Sequence, residues 1–126
     1  MIKIEVSYGE IVDKLTILEI KRENVLDPEK SKNIENEYMY LLPIVEGEIK
    51  MDRESRIYLD LLETNRILWD IEDKIRDKER KKEFDSDFID LARSVYFTND
   101  KRAQIKKEIN LLTGSRLVEE KLYTDY

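Results

Sequence analysis

The stretch "SDFIDLARSVYFTNDKRAQIKKEINLLTG", residues 86–114, decides the fold class of this chain. Its apolar residues recur at helical spacing, at Phe88, Leu91, Ala92, Val95, Ile105, Ile109 and Leu112. This spacing predicts one long helix over residues 86–113, and Gly114 is placed to cap its C-terminus. In the middle of the stretch, however, Asn99 and Arg102 lie on the face that the apolar residues mark for burial. The stretch therefore predicts a core helix that turns polar groups inward.

The composition of the whole chain indicates an all-α fold. Its 126 residues are 41% charged and 40% hydrophobic, with only three Gly and two Pro. Long amphipathic helices have this composition, whereas β folds need more turn-forming residues. The length suits one domain, so we expect residues 1–126 to fold around one core.

Start and stop signals predict three more helices, over residues 8–25, 28–42 and 53–81. The third and fourth helices are each just under 30 residues, and so about 40 Å long. They should form an antiparallel hairpin with the two shorter helices packed along it. The predicted fold is an antiparallel four-helix bundle with two long C-terminal helices and a short N-terminal extended segment. Residues 115–126 are expected to add one short helix.

Charge and residue usage exclude several classes of function. A net charge of −6 and a pI near 4.9 argue against binding to nucleic acid or to an anionic membrane. The chain has no Cys and no His, which removes thiolate chemistry and the usual zinc ligands. Acid pairs three residues apart are no more frequent than chance, so no metal and no cofactor are expected. With no signal peptide and no apolar run of membrane-spanning length, we expect a soluble, acidic, cytoplasmic protein.

Polar residues of three predicted helices fall inside the apolar arcs of their helical wheels. This inward set consists of Glu19, Asn65, Glu72, Arg76, Asn99, Arg102, Lys106 and Asn110. Tyr8 and Tyr96 lie closest to the polar faces and are placed to hydrogen-bond a ligand. Buried charges must pair with each other or with a ligand, because an unpaired buried charge is strongly destabilising. The set is therefore either a hydrogen-bonded network that fixes helix register or a cleft for a small anionic ligand.

Four segments in order, "SYGEIVDKLTILEIK", "NRILWDIEDKIR", "FIDLARSVYFTNDKRAQIKKEIN" and "EEKLY", resemble an uncharacterised family of short helical proteins from bacteria and tailed phages. The resemblance leaves out residues 25–58. The shared residues include every member of the inward set, and also Asp13. The resemblance implies a weak link to glycan or nucleotide-sugar metabolism, because members of that family look to be encoded near, or joined to, surface-polysaccharide and glycosyltransferase genes.

Two functions remain open from the sequence. The first is a small accessory or adaptor protein of unknown biochemical activity, whose polar layer sets its packing and whose surface meets a protein partner. The alternative is a bundle that binds or acts on a small anionic ligand, such as a nucleotide or sugar phosphate. In that alternative Arg76, Arg102 and Lys106 hold the anion, and Glu19 or Glu72 acts as acid or base.

The N-terminal "IKIEV" alternates Ile2, Ile4 and Val6 against charged residues, as a strand does. No second strand pattern is present to pair with it. One expectation is a homodimer in which this segment pairs with the same segment of a second copy. The alternatives are an extended segment with a solvated backbone, or pairing with the chain near Val45 or Ile49.

Overall fold

The computed structural model describes every residue from Met1 to Tyr126 and contains helices but no strand. The helices are α1 Tyr8–Asn24, α2 Pro28–Pro43, α3 Arg56–Lys81 and α4 Ser86–Thr113, with a π-helical segment Ile44–Ile49 after α2. The all-α class is therefore confirmed. No helix combines the length and the apolar character needed to cross a membrane.

Side-chain caps set where the four α-helices begin. The oxygens of Ser7, Asp27, Ser55 and Asp85 each accept a hydrogen bond from the backbone N–H three residues later. Because Ser55 is the cap, α3 begins at Arg56 rather than at residue 53 as predicted. Helix α2 ends at Pro43, one residue after the predicted stop, but the expected break is absent because the chain continues into the π-helical segment. Helix α4 has the predicted bounds, and Gly114 ends it with a φ of 70°.

Helix α1 lies at the centre of the packing. It contacts α2 on one side and both α3 and α4 on the other, while α2 makes its main contacts with α1 and the π-helical segment. The apolar core joins residues from all of these elements, namely Val12, Leu15, Leu18, Ile20, Tyr38, Leu41, Val45, Ile49, Met51, Tyr58, Leu61, Leu62, Ile105 and Ile109.

The contacts of one carboxylate support an antiparallel arrangement of α3 and α4. Asn65 lies 16 residues before the end of α3, and Arg102 lies 16 residues after the start of α4. Both side chains hydrogen-bond Asp13 of α1. Residues equally far from the connecting turn therefore meet at the same place, as in a helical hairpin.

The hairpin extends well beyond the core. Helix α1 has 17 residues, about 25 Å, whereas α3 has 26 and α4 has 28, about 40 Å each. From Glu72 to Gln104 no residue is buried, although Ile71 and Ile105 on either side are. Near the end of this stretch Asn99 and Arg102 take part in the contact with α1, so we call residues 72–98 the distal arm.

Both ends of the chain lack regular structure. Residues 1–7 form no strand, and Ile2 and Ile4 are largely exposed. The short helix expected over residues 115–126 is wrong, because this C-terminal tail runs along α4 without helical hydrogen bonds. Side-chain contacts hold the tail in place instead.

Candidate functional site

A buried carboxylate, Asp13, joins three helices. Its side chain is almost completely buried, and Arg102 binds it through two hydrogen bonds, Nε to Oδ1 at 2.9 Å and Nη2 to Oδ2 at 2.6 Å. Asn65 donates to Asp13 Oδ1 at 2.9 Å and to Thr16 Oγ1 at 2.8 Å. A two-pronged Arg–carboxylate pair fixes geometry as well as charge. The hydrogen bond to Asp13 raises the pKa of Arg102, so the guanidinium stays positively charged.

Lys106 adds a second positive charge beside this pair. Only 8% of the residue is exposed, and its Nζ lies 2.7 Å from a carboxylate oxygen of Glu10. Glu119 of the C-terminal tail is 3.5 Å away, and Asp13 Oδ2 is 3.9 Å away. Lys106 is therefore surrounded by carboxylates and connects α4 to both α1 and the tail.

The start of α1 sits directly against α4. The N–H of Gly9 donates to Oδ1 of Asn110 at 2.6 Å, and the N–H of Tyr8 donates to Oγ of Ser115 at 3.1 Å. A Cβ on Gly9 would lie only 2.4 Å from the carbonyl oxygen of Lys106. Glycine is thus required here by close helix contact.

A separate polar network surrounds Glu19. Arg53 and Tyr58 both donate to Glu19 Oε1, the tyrosine at 2.9 Å, and Arg53 also donates to Tyr38 Oη at 2.9 Å. Burial is the main cause that raises the pKa of Tyr58, so its hydroxyl stays protonated. This network ties the turn before α3 to α1 and α2. Glu19 therefore does not pair with Arg102 or Lys106, contrary to the single inward set predicted from the sequence.

The structure brings together only part of the predicted site. Asn65, Arg102, Lys106 and Asn110 cluster around α1, and Asn99 Oδ1 accepts a hydrogen bond from Arg102 at 3.4 Å. Glu72 and Arg76 were predicted to point inward, and this placement is wrong. Their side chains are 44% and 78% exposed and pair only with each other, one turn apart on α3. The α3 face beyond Ile71 is open because α1 does not reach it.

Sequence reasoning missed two residues that organise these networks. Asp13 was not placed in the inward set, although Gly9, Asp13 and Thr16 follow one another at helical spacing along α1. A stripe of small and polar residues signals close contact with another helix, and this stripe was the available clue. Arg53 gave no such clue, because it precedes α3 and acts through the turn.

A cleft of about 650 Å³ opens beside Arg102 and Lys106, between α4 and the C-terminal tail. Tyr126 of the tail donates a hydrogen bond to Asp100 and packs edge-on against Tyr96, with ring centroids 5.1 Å apart. The predicted Tyr8 is not part of the cleft. The lining residues are Glu10, Val95, Tyr96, Asn99, Asp100, Arg102, Ala103, Lys106, Glu119, Lys121, Tyr123, Thr124 and Tyr126.

A family model described as a family of unknown function (DUF6165) matches residues 2–125. The chain belongs to the DUF6165 family. This match includes residues 25–58, which the resemblance seen in the sequence had left out. No curated protein and no solved structure matches the chain. Membership of DUF6165 names no reaction.

Proposed function

We propose that this protein is a small helical adaptor that presents its distal arm to a protein partner and has no catalytic role of its own. The main support for this proposal is that the distal arm is folded but contains no buried residue. Twenty-seven consecutive residues, 72–98, form parts of two helices and the turn between them, yet none of them is buried. A folded element that does not contribute buried residues to the core is available for contacts with another molecule.

The surface of the arm supports this use. Phe84 at the turn is 58% exposed, and Ile89 one turn into α4 is 55% exposed. Aromatic side chains are enriched at protein interfaces relative to the rest of the surface. The charges near Asp13 also support an adaptor without a catalytic role, because they are paired with one another and hold the helices together.

Site-specific photo-crosslinking in the native cells tests the adaptor proposal. A photoreactive amino acid replaces Phe84 on the arm or, as the control, Leu59, which is 47% exposed on α3 outside the arm. We expect one defined protein to be captured from position 84 and not from position 59. In a further variant, Phe84→Ala and Ile89→Ala are combined and the photoreactive residue replaces Arg80. This variant should capture no partner, while its melting temperature should be unchanged. No capture at 84, or the same products at both positions, would contradict the proposal.

A second candidate function is the binding of a small molecule in the cleft, which the cavity beside Arg102 and Lys106 favours. An anionic ligand such as a nucleotide or sugar phosphate would need positive charge in excess. Arg102 and Lys106 already have carboxylate partners, and Arg76 lies on the arm away from them. A thermal-shift screen of nucleotides and sugar phosphates tests whether the ligand is anionic, since a ligand at 100 times its Kd stabilises the folded protein by about 2.7 kcal/mol.

The proposal extends to the compartment and the metabolic process in which the protein works. We propose that the protein works in the cytoplasm of bacteria or of cells infected by tailed phages, in connection with surface-glycan metabolism. The absence of Cys suits a reducing compartment. The link to glycans is supported only by the family resemblance, and fractionation of the native cells would test the compartment.

A further inference from the structure

The charges around the cleft favour a cation over an anion. Three basic groups line it, and each has an acidic partner: Arg102 has Asp13, Lys106 has Glu10, and Lys121 has Glu119 at 2.8 Å. One further carboxylate of the lining, Asp100, has no basic partner and accepts only a hydrogen bond from Tyr126. Asp13 does not line the cleft but neutralises Arg102 from behind it. This leaves three lining carboxylates against two lysines, so the unbalanced charge at the cleft is negative.

Aromatic rings stand beside this unbalanced carboxylate. Tyr96, Phe97 and Tyr126 form a cluster with ring centroids 5.0 to 5.1 Å apart. Tyr96 and Tyr126 are 42% and 72% exposed as whole residues, and both line the cleft. The same cluster already holds one cation of the chain, since the guanidinium of Arg93 lies 5.8 Å from the Phe97 ring centre. Ring faces attract cations within about 6 Å.

We propose that the cleft between α4 and the tail binds a small organic cation, an amine or quaternary ammonium group, with Asp100 as its counter-charge. The faces of Tyr96 and Tyr126 contact the cation, and Asn99 at the cleft wall supplies polar contacts to the rest of the ligand. This inference rests on the second candidate function, ligand binding, and not on the adaptor function. It replaces the anionic ligand expected from the sequence.

An NMR titration of the full chain with choline tests the proposal. The matched probe is 3,3-dimethylbutan-1-ol, in which a neutral carbon replaces the quaternary nitrogen, and inorganic phosphate serves as the anion. Ionic strength is held constant with NaCl, since exposed charges are screened. We expect saturable shifts at Tyr96, Asp100 and Tyr126 with choline, and binding of the neutral probe about tenfold weaker.

Two variants locate the interaction. Asp100→Asn should weaken choline binding about tenfold, and Tyr96→Leu should weaken it by a similar factor, with circular dichroism confirming that both fold. The control, Asp70→Asn, removes an α3 carboxylate that does not line the cleft and should bind choline as the natural chain does. Equal binding of choline and its neutral probe, unchanged binding by Asp100→Asn, or no shift with choline would overturn the proposal. NMR shifts of the cleft residues with phosphate instead of choline would also overturn the proposal, but would leave the second candidate function, ligand binding, in place.

Discussion

At the scale of single residues, the buried carboxylate of Asp13 is the group on which the contact of α1 with α3 and α4 depends. It is almost completely buried and relies on Arg102 and Asn65 for its hydrogen bonds. A buried ion pair adds little to stability compared with an apolar pair, but removing one partner is costly because the other charge stays buried. The network therefore specifies how the helices meet more than it strengthens the fold.

Arg102→Ala should lower the free energy of unfolding by about 3 kcal/mol, because it leaves the Asp13 carboxylate in the core without its main partner. Arg76→Ala is the matched control, since Arg76 is exposed and pairs only with Glu72. Its effect should stay within about 0.5 kcal/mol. Denaturant unfolding of both variants measures the difference. A loss below about 1 kcal/mol for Arg102→Ala would show that the pair does not hold the core.

Gly9→Ala should destabilise the chain by about 1 to 3 kcal/mol, because its Cβ would overlap the backbone of α4 at Lys106. Gly47→Ala is the control, since a Cβ there meets nothing within 4 Å and the backbone has no positive φ. That change should be neutral or slightly stabilising, as it reduces the freedom of the unfolded chain. Thermal and denaturant unfolding compare the two. Equal effects at both positions would contradict the close contact.

How far the sequence predicts a site depends on where each residue's partner lies. The phase of α4 alone was sufficient to turn Arg102, Lys106 and Asn110 toward the core. Helix phase says nothing about where a neighbouring helix ends, and so it placed Arg76 inward where α1 no longer covers α3. The pairing of Asp13 with Arg102 joins residues 89 positions apart, which no local pattern encodes.

At the scale of elements, local signals predicted the helix ends best where the capping residue itself was recognised. The bounds of α4 were right because Gly114 marks its end by a backbone conformation that favours glycine. The start of α3 was three residues off because Ser55, which was not recognised as the cap, accepts the capping hydrogen bond from Tyr58. The π-helical segment was missed because Pro43 and Gly47 signal a break.

The distal arm should open locally more easily than the rest of the hairpin. Residues 74–81 and 86–97 are helical but none of them is buried, whereas residues 58–71 include six buried residues. We therefore expect native-state hydrogen exchange at least about tenfold faster in the arm. Residues 58–71 serve as the internal reference, since they belong to the same helical hairpin. Uniform exchange along α3 would show that the hairpin opens only as one unit.

At the scale of the whole molecule, the N-terminal segment gives reason to expect a second copy. Ile2 and Ile4 are 92% and 76% exposed, and the backbone of residues 1–6 makes few hydrogen bonds within the chain. Alternating apolar residues on an unpaired extended segment favour pairing with another such segment. A two-fold axis would let two copies satisfy each other by identical contacts. The net charge of −6 on each copy opposes this association at low ionic strength.

We accordingly predict a homodimer that depends on residues 1–6 and becomes more stable as salt is raised to about 0.15 M, where charge repulsion is screened. Light scattering at micromolar concentration should give twice the mass of one chain. Deleting residues 1–6 should return it to the mass of one chain, and Ile2→Lys with Ile4→Lys should do the same without shortening the chain. The control is Leu122→Lys, which places a charge at an equally exposed position in the C-terminal tail. The predicted dimer is held together by residues 1–6 alone. A monomer before the deletion, or a dimer that survives it, would therefore show that the extended segment is not the interface.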